Sequence, residues 1–334
     1  MLYLQKMRSW NLTYALLALL YTTFVFGQTV PSPEEGIDFV TTFGSDADSK
    51  FGDDDQLQIF FFLIPKTFSK PFYVRIFDPE IGAKNDLLVG DRYNTTTRFE
   101  IFGGFQCYSK PAARSFVKQE GYDSGKLLNT VEFSELNKYD EKWFNLGPFN
   151  PREGEYIKEF DAYIFKFIAT GISGDDGNTY RVSLSLNNDK NTSILGANIF
   201  TYNYTFRLKD RPFTVAHIYP FIDTKTKSIK QVNFDFDDEG EIKIYSRTKS
   251  GHKVATSGDN ESVHSTHIID SEEQGKTMDL QIVKNQSRIN DMSIYVLNQY
   301  NEAVPFFAIP IGGVPQYRFK VNIRYDYRNK KQSY

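Results

Sequence analysis

Period-two alternation of apolar and polar residues runs through most of this chain. From Tyr163 to Ile168, Tyr163, Phe165 and Phe167 fall on one side, and Ile164, Lys166 and Ile168 on the other. From Tyr180 to Leu186, Tyr180, Val182, Leu184 and Leu186 share a side opposite Arg181, Ser183 and Ser185. Such alternation marks strands half buried in a sheet. Gly171, Gly174, Asp175, Asp176, Gly177 and Asn178 lie between the two runs and supply turn chemistry, so the pair reads as a hairpin. Other strands read in the same way over 37–43, 71–78, 96–102 and 198–208. LQIFFFLIP, Leu57 to Pro65, is continuously apolar and fits a strand covered on both faces.

Asp210, Arg211 and Pro212 interrupt the pattern, which then restarts as short strands between Gly, Asn and Asp turns, a sandwich spacing. The last alternating run is Tyr317 to Tyr327. Residues 105–150 are less regular; Pro111 to Glu120 is expected to form a short helix. The resulting expectation is an all-β chain of two antiparallel β-sandwich domains, jelly-roll or Ig-like, with at most one or two short helices. Its divisions are a signal peptide over 1–28, an N-terminal sandwich over 29–210 with the irregular insertion near 105–150, and a C-terminal sandwich over 211–330.

The export signal rests on Lys6 and Arg8 followed by the uncharged run Leu12 to Phe26, with cleavage expected near Gly27 or Gln28. That run is short for a membrane span, which takes ~20 residues. No later segment is long and apolar enough to span as a helix, so no transmembrane helix is expected after cleavage. Cys107 is the only cysteine, so no disulfide within the chain can staple the cores, and a buried structural thiol is expected. The net charge of -3 argues against a nucleic-acid partner, which would call for a clustered basic excess.

Chemistry is sparse. The acidic loops are Asp46/Asp48/Asp53 to Asp55, Asp78/Glu80/Asp86, Asp175/Asp176/Asn178 and Asp235/Asp237/Asp238/Glu239. Calcium takes six to eight oxygens and is readily served by loops of this kind. Asp78, Asp86, Asp175, Asp176, Asn178, Asp235 and Asp237 are therefore the candidate calcium ligands, although acidic turn residues are also ordinary solvated loop formers. His264 and His267 are three apart in a strand and point to opposite faces, which disfavours a shared metal. Neither a Gly-x-Ser-x-Gly elbow nor a His-Glu-x-x-His helix is present. Trp143 and Phe144, in the irregular region, are the candidate ligand-binding aromatics.

Trp143 to Leu186, with FNLGPFNP, GEY, YIFKF and GISGDDGNTYRVSLS, resembles the pre-peptidase C-terminal-type modules of exported bacterial proteins. FYVRIFDPEIG followed by TTRFEIFGG is similar to segments of bacterial envelope proteins. The resemblance covers residues 57 to 210 and implies a calcium-tolerant β-sandwich with a binding or structural role and no catalytic residues. The expectation is an exported, non-enzymatic module of the bacterial cell envelope or surface, periplasmic or extracellular. It requires no cofactor beyond possible calcium, and its partner is a protein or a polysaccharide at the cell surface. Two rival readings are an all-β hydrolase or lyase acting on polysaccharide and an outer-membrane β-barrel, the latter suggested by Tyr317 to Tyr327.

Overall fold

The structure is a computed structural model that describes residues 28–48, 55–115 and 118–315. All of the expected leader over 1–28 except Gln28, which begins the first strand, and the alternating run Tyr317 to Tyr327 lie outside the described residues. The first half contains β1 (Gln28–Val30), β2 (Phe39–Phe43), β3 (Leu57–Pro65), β4 (Phe72–Phe77), β5 (Thr96–Gly103), β6 (Lys126–Phe133), β7 (Trp143–Phe149), β8 (Glu155–Ile157), β9 (Ala162–Ser173), β10 (Gly177–Ser185), β11 (Asn198–Thr201) and β12 (Asn203–Leu208). The second contains β13 (Val215–Ile218), β14 (Phe221–Ile222), β15 (Ser228–Phe234), β16 (Gly240–Tyr245), β17 (Ser250–Val254), β18 (Ser262–Ile268), β19 (Lys276–Thr277), β20 (Asp279–Lys284), β21 (Asn290–Asn298) and β22 (Phe306–Phe307).

The strands form a nine-stranded sheet in the order β18-β15-β21-β12-β2-β10-β4-β7, with β1 also on β10. A seven-stranded sheet runs β22-β11-β3-β9-β5-β6, with β8 on β9, and a four-stranded sheet runs β13-β20-β16-β17. A two-stranded sheet pairs β14 with β19. The protein is thus all-β, built of antiparallel sheets packed as a sandwich, and these sheets stay open and do not close into a barrel. That removes the barrel reading for the described residues. The nine-stranded sheet continues through the position of the expected domain boundary, because β12 pairs with β2 on one side and β21 on the other.

The core lies between the sheets. Phe99 of the seven-stranded sheet meets Tyr180 of the nine-stranded sheet edge-on at 5.1 Å, and Phe60 meets Tyr204 at 6.0 Å. Aromatic pairs prefer such tilted contacts to flat stacking. A second apolar cluster, Phe61, Tyr108, Phe200 and Tyr202 among its members, covers the other face of the seven-stranded sheet. LQIFFFLIP is therefore buried on both faces, as its unbroken apolar run predicts.

Three expectations are corrected. First, β9 and β10 do not form a hairpin: β9 pairs with β3 and β5, and β10 pairs with β2 and β4, so the chain crosses from one sheet to the other. Both strands are interior to their sheets and covered on both sides, and alternation alone does not name a strand's partner. The connection from β2 to β3 makes the reverse crossing, and the two lie against each other: the Gly44 N–H donates to Asp176 O at 3.1 Å and the Asp46 N–H to Gly174 O at 2.8 Å. Second, the run 198–208 is two strands. It changes sheets at Tyr202, where the Gln58 amide bonds Asn203 O at 2.7 Å and accepts from Thr205 N at 3.0 Å. Third, the helix expected over Pro111 to Glu120 is only a 3-10 turn, Pro111–Arg114, because the chain becomes extended at Ser115.

Candidate functional site

Three of the four acidic loops meet where the β9–β10 connection crosses between sheets. Asp176 is fully buried there and accepts from Val89 N at 2.8 Å and Asn94 N at 2.6 Å. Its neighbour Asp175 is half-buried and exchanges hydrogen bonds with the Asn94 side chain, at 2.8 and 2.9 Å. The Asn178 amide nitrogen donates to Pro79 O at 2.9 Å and Thr97 Oγ1 at 3.0 Å, while its buried oxygen meets no donor. From the first acidic loop, Asp46 accepts from Gly174 N at 2.8 Å. Asp53 and Asp54 lie outside the described residues.

Asp86 joins the same junction. It accepts from Gly82 N, Ala83 N, Thr179 N and Thr179 Oγ1, all at 2.8 to 3.0 Å. Burial pushes its carboxyl up to about 7, against the pull of those donors. Asp78 accepts from Glu141 N at 2.9 Å through one oxygen, and its other oxygen is enclosed without a donor. Burial raises it to about 6. Glu80 accepts from Tyr139 N at 2.6 Å. The common chemistry is a carboxylate holding the N–H groups of a neighbouring loop, which satisfies donors that no ladder reaches.

The fourth loop differs. Asp235 and Asp237, between β15 and β16, meet Asp259 from the β17–β18 connection, with one oxygen from each within 4.8 Å of the others. Asp235, Asp237 and Asp238 all take left-handed backbone, with φ of 57°, 58° and 52°. Asp235 accepts from Asn260 N at 2.8 Å, and burial, followed by the nearby charges of Asp237, Asp259 and Asp291, raises it to about 7. Asp237 receives the Arg288 guanidinium at 2.5 Å and the Asn290 amide at 3.1 Å. Asn290 is only 4% exposed, its nitrogen also reaches Asp235 O at 3.3 Å, and its amide oxygen meets no donor.

The two candidate aromatics separate. Phe144 packs edge-on against Phe133 and Tyr139, both at 5.1 Å, and is part of the core wall. Trp143 lies on the outer face of the nine-stranded sheet, 5.3 Å from Phe77, with the Arg75 guanidinium 5.0 Å over its ring.

Sequence reasoning missed a second buried polar centre, on the outer face of the seven-stranded sheet. Glu155 accepts from Gln106 N at 3.1 Å, Tyr108 N at 2.6 Å, Ser109 N at 2.9 Å and the Ser109 hydroxyl at 2.5 Å. Burial works to raise its carboxyl, but those donors outweigh it and hold it below the usual range. Lys166 is fully buried and donates to Tyr122 O at 2.6 Å and Ser124 O at 2.7 Å, and burial lowers its ammonium to about 8. Cys107 beside it is a buried free thiol, pushed up by burial to about 12. A thiol so raised is not a nucleophile at neutral pH. Glu155 and Lys166 fasten the 104–125 loop to the sheet. The only hint in sequence was a lysine inside the YIFKF run.

No family model matches the chain, and no curated protein matches it. Among solved structures, the chain is similar to one titled "Structure of infectious bursal disease virus Gx strain", at 12% identity, over 83% of this chain and 76% of that one. The TM-score is 0.15, too low to carry an argument about fold or function.

Proposed function

We propose that the chain is an exported, non-catalytic binding or structural module of a bacterial cell envelope or surface, steadied by calcium at one loop cluster. The observation that carries the reading is the use of the buried acids. Asp86, Asp176, Glu80 and Glu155 each accept hydrogen bonds from loop backbone, an arrangement that builds a rigid scaffold. The basic and apolar start of the sequence supports export. The resemblance of Trp143 to Leu186 to pre-peptidase C-terminal-type modules supports an envelope role and a protein or polysaccharide partner.

Calcium would be held by Asp235, Asp237 and Asp259. The donor set is all oxygen, as a hard cation prefers, and a half-turn of the Asn290 amide would present its unmatched oxygen to the same cluster. Arg288 competes for Asp237 and is also anchored by an ion pair to buried Glu239, so calcium would have to displace its guanidinium from Asp237 while the Glu239 pair persists.

Fractionation of the source cells tests the export reading. The protein is expected in the periplasm, the envelope or the medium, with the mass of a chain starting near Gln28. Full-length protein in the cytosol would overturn it, and carboxylate-dependent turnover of a polysaccharide would overturn the non-catalytic half.

A further inference from the structure

The outer face of the nine-stranded sheet carries a row of side chains that no single strand reveals. Arg181 of β10 is the register partner of Phe77 of β4, and Phe77 is the partner of Trp143 of β7. On the other side of Arg181, Phe39 of β2 places its ring 4.6 Å from the guanidinium, which also lies 5.3 Å from the Phe77 ring. Arg75, two residues before Phe77 on the same face, covers Trp143. Three rings, Phe39, Phe77 and Trp143, and one cation, Arg181, therefore line up across four neighbouring strands, with Arg75 beside Phe77 on β4, while Ile76 and Val182 between them point into the core.

Two features separate this row from ordinary surface. Arg181, Phe77 and Trp143 are each partly exposed. And among the described residues neither guanidinium has a carboxylate within ion-pair distance: Arg181 donates through Nε to Asp38 O at 2.7 Å, and Arg75 donates to Asn145 Oδ1 at 2.8 Å, Asn191 Oδ1 at 2.6 Å and Asp189 O at 3.4 Å. All four acceptors are neutral. Arginine's planar fork matches a carboxylate in a bidentate pair. The flat C–H face of a pyranose ring rests on an aromatic ring in the way other apolar surfaces do.

We propose that this face binds an acidic polysaccharide, with a uronate carboxylate on the half-buried Arg181 and the sugar rings against Phe77 and Trp143, while Arg75, only 4% exposed, holds the Trp143 ring in place from beneath. The inference rests on the binding-module reading and names its ligand class. A sugar chain fits better than an acidic peptide because the face is flat sheet bearing rings. Peptide carboxylates would engage Arg181 and leave the rings idle.

Trp143 is a built-in reporter, because the other tryptophan, Trp10, lies within the leader. The chain from Gln28 onward, titrated with polygalacturonate, is expected to change its tryptophan emission, with iodide quenching of Trp143 falling at least about twofold. Apparent affinity should drop about tenfold or more in Arg181→Gln, as expected for a lost charge-assisted pair worth roughly 1.5–3 kcal/mol. Arg181→Lys, which keeps the charge but loses the fork, should fall between. Hydroxyethyl cellulose and polyglutamate are the neutral and peptide controls. Equal responses to polyglutamate and polygalacturonate would overturn the sugar assignment, and an unchanged Trp143 signal in the parent chain would overturn the site without touching the export reading. The emission test on the parent chain stands even where an arginine variant fails to fold.

Discussion

Replacing Gly171 by alanine is expected to destabilise the protein by about 3 kcal/mol or more. Gly171 lies on β9 just before the crossing, where a Cβ would overlap the carbonyl oxygen of Phe43 and crowd Gly44 Cα. Neither backbone can retreat. Phe43 N donates to Asp55 O at 3.1 Å, Gly44 N to Asp176 O at 3.1 Å and Gly171 N to Gln56 O at 3.0 Å. The cost is steric and does not come from a special dihedral. Gly90→Ala is the control: Gly90 has φ of 94° and open space around it, so only the left-handed penalty of about 1–2 kcal/mol applies. Urea unfolding of both variants is the measurement. Equal losses in the two would show that the two crossings do not touch.

Asp176→Ala is expected to cost roughly 2–3 kcal/mol. It empties a fully buried carboxylate position and leaves the N–H groups of half-buried Val89 and exposed Asn94 without their acceptor, where a buried unmatched donor costs about 1–3 kcal/mol and a wetted one less. The loss should be local in origin. The Leu87–Gly177 pair of backbone bonds, at 2.9 and 3.0 Å, still ties the loop at its base. Amide hydrogen exchange should therefore accelerate at Val89 and Asn94 well before it does in β9 or β10. Asp175→Ala, at the half-buried neighbour whose carboxylate accepts only from the Asn94 side chain among the described residues, should cost about 1 kcal/mol or less. If the two substitutions behaved alike, Asp176 would be an ordinary solvated turn residue.

The strands were legible because alternation reports burial: the runs 37–43, 57–65 and 96–102 reappear as β2, β3 and β5 within two residues of their expected ends. Pairing was not legible. Alternation in 163–168 and 180–186 says that one face of each strand is buried, and says nothing of which strand lies alongside. Two consecutive strands joined by a Gly/Asp-rich turn satisfy the pattern equally well as a hairpin or as a crossing between sheets. The crossing is fixed by contacts with Phe43 and Gly44, more than a hundred residues away. Lys166 was readable as a break in an apolar face. Its burial depends on the carbonyls of Tyr122 and Ser124, and no sequence spacing encodes those.

The candidate site divides in the same way. Asp235 and Asp237 were visible because residues two apart share a strand face, but Asp259 comes from a different connection and joins them only in space. The acids of the other loops looked equivalent to these in sequence. They differ because their oxygens face backbone N–H groups. The row from Phe39 to Trp143 was invisible for a topological reason: β2, β10, β4 and β7 are neighbours in the sheet but scattered along the chain.

The central proposal is that Asp86 and Asp176 hold loop backbone, whereas Asp235, Asp237 and Asp259 bring three carboxylates together to hold calcium. Thermal unfolding with and without calcium tests it most directly. Burial raises Asp235 to about 7, above its unfolded value. Its proton-linked stability is therefore present below the unfolded pKa of about 4 and lost as pH rises through about 7. Calcium needs the ionised form, so it should act on the alkaline side. At about pH 8, roughly 10 mM calcium should raise the midpoint by about 3–6 °C, as expected for a site with Kd of about 0.1–1 mM. The shift should shrink by more than half at about pH 5 and vanish in Asp259→Asn, a change at an exposed residue. An unmoved midpoint at pH 8, or the same rise in Asp259→Asn, would contradict the claim.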